Sequence, residues 1–447
     1  MSSLANRLSL PRVLAFASVG IPMAAVGLPM AVFVAPLYAE NLGLGTTLVG
    51  LIFMILRFWD LLTDPFMGWL VDTRPTRRGR IKHWIYIGAP ILGIGAFFMF
   101  IPGESVTPVY LVISLAVLWL GFTMIQTPHQ SWVPLIAHTY DERSRVFMWR
   151  EVVQTATLIS LLVIPFILSE FYEFGRRDQV KVMGVIVIVS LPISVLLAAR
   201  FVPDMAPNPD APRTRFSWQH AAAAFRDRSV LRVATTEILV GIAIASTGGT
   251  YLFMAQWGFG VTDYAPLILL AFFATGFACL PFWTWVSRKT EKHIALQIIC
   301  IWSSITYMAY LPLSLMGAGM TTLLIAAVVS GVGYGAPFIL ARSMMADIIE
   351  QNTVRTGDNR AGFYYSLMTG AYKTGASLAI GISYIMLGSI VGFNPSGENS
   401  PGVVRGLMYV FVGVPAVAYG LTALVMWKYP LTRNVQAKTD AARHAAS

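Results

Sequence analysis

The chain has 447 residues, of which 56% are hydrophobic and only 12% charged, about half the roughly 25% charged share of a soluble domain. That is too little charge to cover a water-facing surface, so a soluble globular protein is excluded. The net charge of +10 does not point to nucleic acid, because the basic residues sit in short loops between apolar blocks, the pattern that sets membrane topology.

The apolar blocks recur from end to end, each near the ~20 residues that cross ~30 Å of hydrocarbon. They predict twelve helices at about 12–39, 47–73, 83–102, 107–137, 145–170, 180–201, 229–256, 262–287, 293–316, 320–350, 361–390 and 403–428. Lipid offers no partner for backbone N–H and C=O groups, so each spanning block has to be helical. The first block carries Gly20, Pro22, Gly27, Pro29 and Pro36, residues that permit close packing and bending in a membrane bundle. No cleavage site follows a short apolar core near the N-terminus, so this block reads as a retained helix.

Lys and Arg cluster after helices 2, 4 and 8 and in the C-terminal tail, whereas the alternate loops hold few. This places both termini in the cytoplasm, with a multi-pass chain in the cell (inner) membrane. A Pro-rich stretch, 203–228, separates six helices (1–202) from six more (229–430), and a tail follows (431–447). The expected architecture is all-α, with two six-helix halves joined by a cytoplasmic linker, the layout of major facilitator transporters, which hold substrate near the midplane between halves. Cys279 and Cys300 lie in apolar helices without metal or disulfide spacing and read as small buried hydrophobes. The segment 331–335, Gly-Val-Gly-Tyr-Gly, follows no strand; it predicts tight packing or a bend, not a nucleotide loop.

Helix 2 carries the informative charges. Asp60 and Asp64 are one turn apart and share a face, which Arg57 joins. Each ionised side chain at mid-bilayer costs about 2.5–3.5 kcal/mol, and two carboxylates on one face repel unless a cation or proton neutralises them. Carboxylate oxygens suit a small hard cation. The expectation is a cation or proton site, with a structural ion-pair cluster around Arg57 as the alternative. Asp72, with Arg78 and Arg80 beyond it, reads as a structural latch. Helix 4 offers Gln126, His129 and Gln130 at i, i+3 and i+4. Helix 5 offers Arg150 and Gln154, and helix 11 a stripe of Tyr365, Thr369 and Lys373. These are expected to bind a polar solute, Arg150 and Lys373 pairing an anionic group; His129 also suits a packing role. Glu237 and Arg342 are embedded charges expected to pair. No nucleophile–base pair, phosphate loop or metal-spaced histidine cluster points to an enzyme.

The run Asp60-x-x-x-Asp64-Pro65-x-x-Gly68, followed by Arg77-Arg78-Gly79-Arg80, resembles the glycoside–pentoside–hexuronide:cation symporters, relatives of melibiose permease. Further matches follow in order: Gly121 to Pro128 with Ser131-Trp132-Val133-Pro134, Asp141-Glu142-Arg143 to Arg150, then Ala346-Asp347-Ile348-Ile349-Glu350 with Arg355-Thr356-Gly357, Arg360 and Lys373. The resemblance implies a cation site at Asp60, Asp64, Thr123 and Gln126, a metal site at the two aspartates if the ion is Na⁺, and a sugar-pocket arginine at Arg150. It also implies a structural charge network including Arg143, Asp347, Glu350 and Arg360. Ala24 stands where the family has a helix 1 acid, Gln126 where it has a helix 4 carboxylate, and Gln130 where it has a ring-stacking tryptophan, so galactoside specificity is not expected. The expected function is a symporter for a small solute such as a glycoside or hexuronide, coupled to Na⁺ or H⁺, without a cofactor and working as a monomer. A carrier of a lysolipid-like solute, an exporter and a non-transporting receptor stand as alternatives.

Overall fold

The computed structural model describes residues 8–73, 81–137, 140–204, 226–317, 319–356 and 361–431. Among them all regular structure is helical. Eleven helices are long and apolar enough to cross a membrane, and Thr46–Trp59 is a shorter apolar helix. In chain order the elements are α1 (Leu10–Ala39), α2 (Thr46–Thr73), α3 (Lys82–Phe100), α4 (Pro108–Ile136), α5 (Tyr140–Tyr172) and α6 (Arg176–Phe201). Then come α7 (Arg228–Gly258), α8 (Ala265–Lys289), α9 (Lys292–Leu315), α10 in two pieces (Met320–Gly331 and Ala336–Thr356), α11 (Phe363–Val391) and α12 (Pro401–Val425).

Packing divides the chain at Arg213 and Thr214 into two compact units. In the first, α3 packs on α4 and α6, α2 on α4, and α1 on α5 and α6. In the second, α9 packs on α10 and α12, α8 on α10, and α7 on α11 and α12. Adding six to each helix number of the first set yields the second, so the two units share one internal topology. Large apolar side chains such as Ile55, Phe97, Leu196, Ile305 and Leu424 stay exposed, as expected of surfaces solvated by lipid rather than water.

Glycines set the tightest crossings. A Cβ on Gly121 would lie 2.3 Å from the Leu92 backbone nitrogen, and one on Gly95 2.5 Å from Leu118 Cα, so α3 and α4 are in backbone contact. At the α7–α11 crossing a Cβ on Gly375 would lie 1.9 Å from the Ile238 carbonyl oxygen.

The helices are not uniform. In α1 a π-helical segment, Met30–Val34, follows Pro29; the missing N–H groups of Pro29 and Pro36 deprive their usual carbonyl partners. The helix α10 breaks at Gly331–Gly335, with Gly335 at φ +78°. The expectation of a bend at this segment is met. The Trp283 indole N–H donates to the freed Val332 carbonyl at 2.7 Å, which satisfies a group that lipid could not. Some boundaries differ from expectation, and α10 runs on to Thr356 rather than 350. Helix α5 starts at Tyr140 rather than 145. The segment expected to begin a linker is docked at its start: Asp204 Oδ2 accepts from the backbone N–H groups of Ile81 and Lys82 at 3.1 and 3.0 Å, capping α3.

Candidate functional site

The helix α2 runs unbroken from Thr46 to Thr73, so positions 60 and 64 are one turn apart on one face. Two contacts set its register against α4. The Arg57 guanidinium lies 4.1 Å above the Trp119 ring centroid, and a Cβ on Gly68 would sit 4.0 Å from Thr127 Cγ2. Both numbers rise together, so α2 and α4 run parallel. The level of Asp64, one turn before Gly68, therefore falls at Thr123, one turn before Thr127. Asp64 is half-buried and Thr123 is buried. On its other side α4 is held to α3 through Gly88, Gly95 and Gly121, which keeps Thr123 at a defined depth. The ring of Trp119 draws the Arg57 charge toward α4. Sequence reasoning missed Trp119; its place one turn before Thr123 on the same helix face was the available signal.

Further along α4 the polar patch splits. His129 is buried, its ring stacked on Phe16 with centroids 4.0 Å apart. Its Nε2 lies 2.9 Å from the Phe16 carbonyl. A carbonyl only accepts, so the proton sits on Nε2, and this geometry favours the packing role. Gln126 is half-buried and Gln130 exposed. On α5, Arg150 and Gln154 face α1, where a Cβ on Gly20 would meet Gln154 Cγ at 2.9 Å and the Arg150 carbonyl at 3.7 Å. The Arg150 side chain is 11% exposed, and within the described residues its one ion contact is the exposed Glu151, at 3.8 Å. Its Nε has no hydrogen-bond partner. A nearly buried guanidinium so weakly paired suits an incoming anionic group.

In the second unit the α11 stripe has Tyr365 and Thr369 exposed and Lys373 half-buried. The Thr369 hydroxyl donates to the Tyr365 carbonyl at 3.0 Å. Of the structural charges, Asp347 on α10 pairs with Lys292 on α9, both carboxylate oxygens lying within 2.7 Å of Nζ; this ties α10 to α9. Glu350 is half-buried on α10. Arg78, Arg80 and Arg360 lie outside the described residues, as do the side chains of Asp60, Asp72 and Arg143. Beyond the membrane-spanning part of α1, Glu40 pairs with Arg176. Burial pushes its carboxyl above the usual carboxylate range despite that partner.

A family model described as MFS/sugar transport protein matches residues 15–433. A symporter of Bacillus subtilis (strain 168), described as uncharacterized, is 20% identical, covering 97% of this chain and 95% of its own. The sodium-dependent lysophosphatidylcholine symporter 1 of Gallus gallus is 21% identical over 95% of this chain and 87% of its own. A glucuronide carrier protein homolog of Escherichia coli (strain K12) is 21% identical over 90% and 88%. Among solved structures, the nucleoside transporter NupG superposes with a TM-score of 0.65 at 13% identity, covering 94% of this chain and all of that one. The resemblance to glycoside:cation symporters is thus upheld, and the expected major facilitator fold is the observed one. This multi-pass chain, a transporter rather than an enzyme, belongs to the MFS/sugar transport protein family.

Proposed function

We propose that the protein is a symporter that couples Na⁺ or H⁺, bound at Asp60 and Asp64, to movement of a small organic solute by alternating access. One observation supports this reading: α2 packs parallel on α4, with Arg57 over Trp119 and Gly68 against Thr127, and one turn back from the second contact stand Asp64 and the buried Thr123. A carboxylate and a hydroxyl at one depth offer hard oxygen donors where full charge is expensive. Cation binding neutralises the acids and lowers the cost of closing the site. Solute then raises cation affinity by the factor that the cation raises solute affinity. The Lys and Arg distribution supports cytoplasmic termini.

Arg150 supports a solute with an anionic group. The names of the relatives offer two such classes, a glucuronide and a lysophospholipid. The hexuronide-like class follows from the polar side chains Gln126, Gln130 and Gln154. The amphiphile stands as a second reading, favoured by α1, which bears no polar side chain from Gly20 to Leu37.

The test uses purified protein in liposomes. Asp64→Asn should insert and fold, yet lose the cation-driven uptake of the wild type; uptake that still follows the cation gradient refutes the assignment. A Na⁺ gradient at fixed pH, set against a pH gradient without Na⁺, identifies the ion. Thermal stabilisation by glucuronides, neutral sugars and lysolipids in turn identifies the solute class.

A further inference from the structure

The second unit contains a carboxyl group that the symport reading does not use. Glu237, on α7, is 1% exposed, and neither of its side-chain oxygens has a hydrogen-bond partner. The hydroxyl of its neighbour Thr236 is also buried and unpartnered. The cause is the helix crossing. One turn on, a Cβ on Gly241 would meet the Tyr372 carbonyl at 2.5 Å, and Gly375 presses on Ile238, so α11 covers this part of α7 at backbone distance.

Several charged groups lie on elements packed against α7: Arg342, Asp347 and Glu350 on α10, Lys373 on α11 and Arg405 on α12. On α7 itself, Arg232 donates to the Trp427 and Lys428 carbonyls. Among the described residues none of these gives the Glu237 oxygens a hydrogen bond, and Arg342 is the cation nearest in charge to it. Yet the Arg342 guanidinium is parked 4.0 Å above the Phe338 ring, and its Nε is buried without a partner. Arg342 stands two turns after Gly335, where α10 is broken. A carboxyl with no donor on either oxygen is not held ionised away from water; it keeps its proton or gains a counter-charge. A buried polar group left unsatisfied in a folded protein calls for a role.

We propose that Glu237 is a proton-binding site of the C-terminal unit. It holds a proton while Arg342 rests on Phe338, and releases it when the segment after the α10 break brings the guanidinium onto the carboxylate. The proton leaves to water and the ion pair replaces it, so charge balances. This goes beyond the symport reading and does not depend on whether Asp60 and Asp64 take Na⁺ or H⁺.

Infrared spectroscopy of the reconstituted protein tests the proposal through the C=O stretch of protonated carboxyl groups. At neutral pH the wild type should show such a band that Glu237→Gln lacks and Asp64→Asn keeps. The band should fade in alkali, and Arg342→Gln should retain it where the wild type has lost it. Identical wild-type and Glu237→Gln spectra at every pH overturn the proposal, and a band indifferent to Arg342→Gln overturns the exchange with arginine. A second measurement needs no variant: dicyclohexylcarbodiimide, which takes the proton of a carboxyl group in apolar surroundings and is then attacked by its oxygen, should modify Glu237 faster in acid. Modification faster in alkali, or absent from the Glu237 peptide while other carboxyl groups react, counts against it.

Discussion

Trp119 offers the sharpest test of the α2–α4 geometry. Its ring lies 4.1 Å beneath the Arg57 guanidinium and is 4% exposed. A cation–π contact is worth about 0.5–1 kcal/mol when exposed and about 2 kcal/mol when desolvated; burial puts this one at the upper end. Trp119→Leu removes the ring face and keeps an apolar side chain. Arg57 then loses its hold on α4, and its charge competes more strongly with the coupling cation for the carboxylates one and two turns along α2. If the full contact energy is transferred, apparent cation affinity falls roughly 30-fold, at about 1.4 kcal/mol per factor of ten. Trp119→Phe retains a weaker face and should fall between. The assay is a cation titration of thermal stability, with the cation-free midpoint of each variant as its own baseline so that lost packing is accounted for. Unchanged or tighter cation binding in a folded Trp119→Leu protein would refute the reasoning.

Other sites make separate tests. Gly375→Ala drives a Cβ to 1.9 Å from the Ile238 carbonyl and should cost about 1–3 kcal/mol by overpacking; Gly413→Ala, with nothing within 4 Å, should instead stabilise α12 by about 0.5–1 kcal/mol, both read by thermal unfolding. Asp347→Asn breaks a partly exposed pair with Lys292 and should cost about 1 kcal/mol or less, an effect that shrinks as salt is raised. Burial holds the Glu40 carboxyl above its unfolded value despite Arg176. Its stabilising contribution is therefore full in acid, below the unfolded value, and is lost as pH rises through the raised one. Wild-type thermal stability should fall more than that of Glu40→Gln between acid and neutral pH; equal slopes would rule this out.

Much of the fold was legible because lipid simplifies the problem. A spanning segment must satisfy its own backbone, so long apolar blocks can only be helices, and the expected twelve match the observed helices to within a few residues at most ends. The α10 break was legible too, since three glycines in five residues relax the helix where Trp283 can cover the opened carbonyl. The larger misses were at the start of α5 and the end of α10, where charged stretches read as loop continue the helix to Tyr140 and to Thr356.

The site was legible in one dimension only. Spacing along one helix placed Asp60 with Asp64, Arg150 with Gln154, and Tyr365 with Thr369 and Lys373, because 3.6 residues per turn is a local rule. It could not show that His129 spends its Nε2–H on Phe16, over a hundred residues earlier, or that Trp119 shelters Arg57.

By itself the sequence determined that this is a helical membrane transporter and where its acids fall along α2, because hydrophobicity and helical periodicity are properties of neighbouring residues. The tertiary structure decided which depth of α4 meets Asp64, which glycines bring backbones together and which buried charges lack a partner. Those depend on how one helix surface seats against another, and that register arises only when distant segments pack.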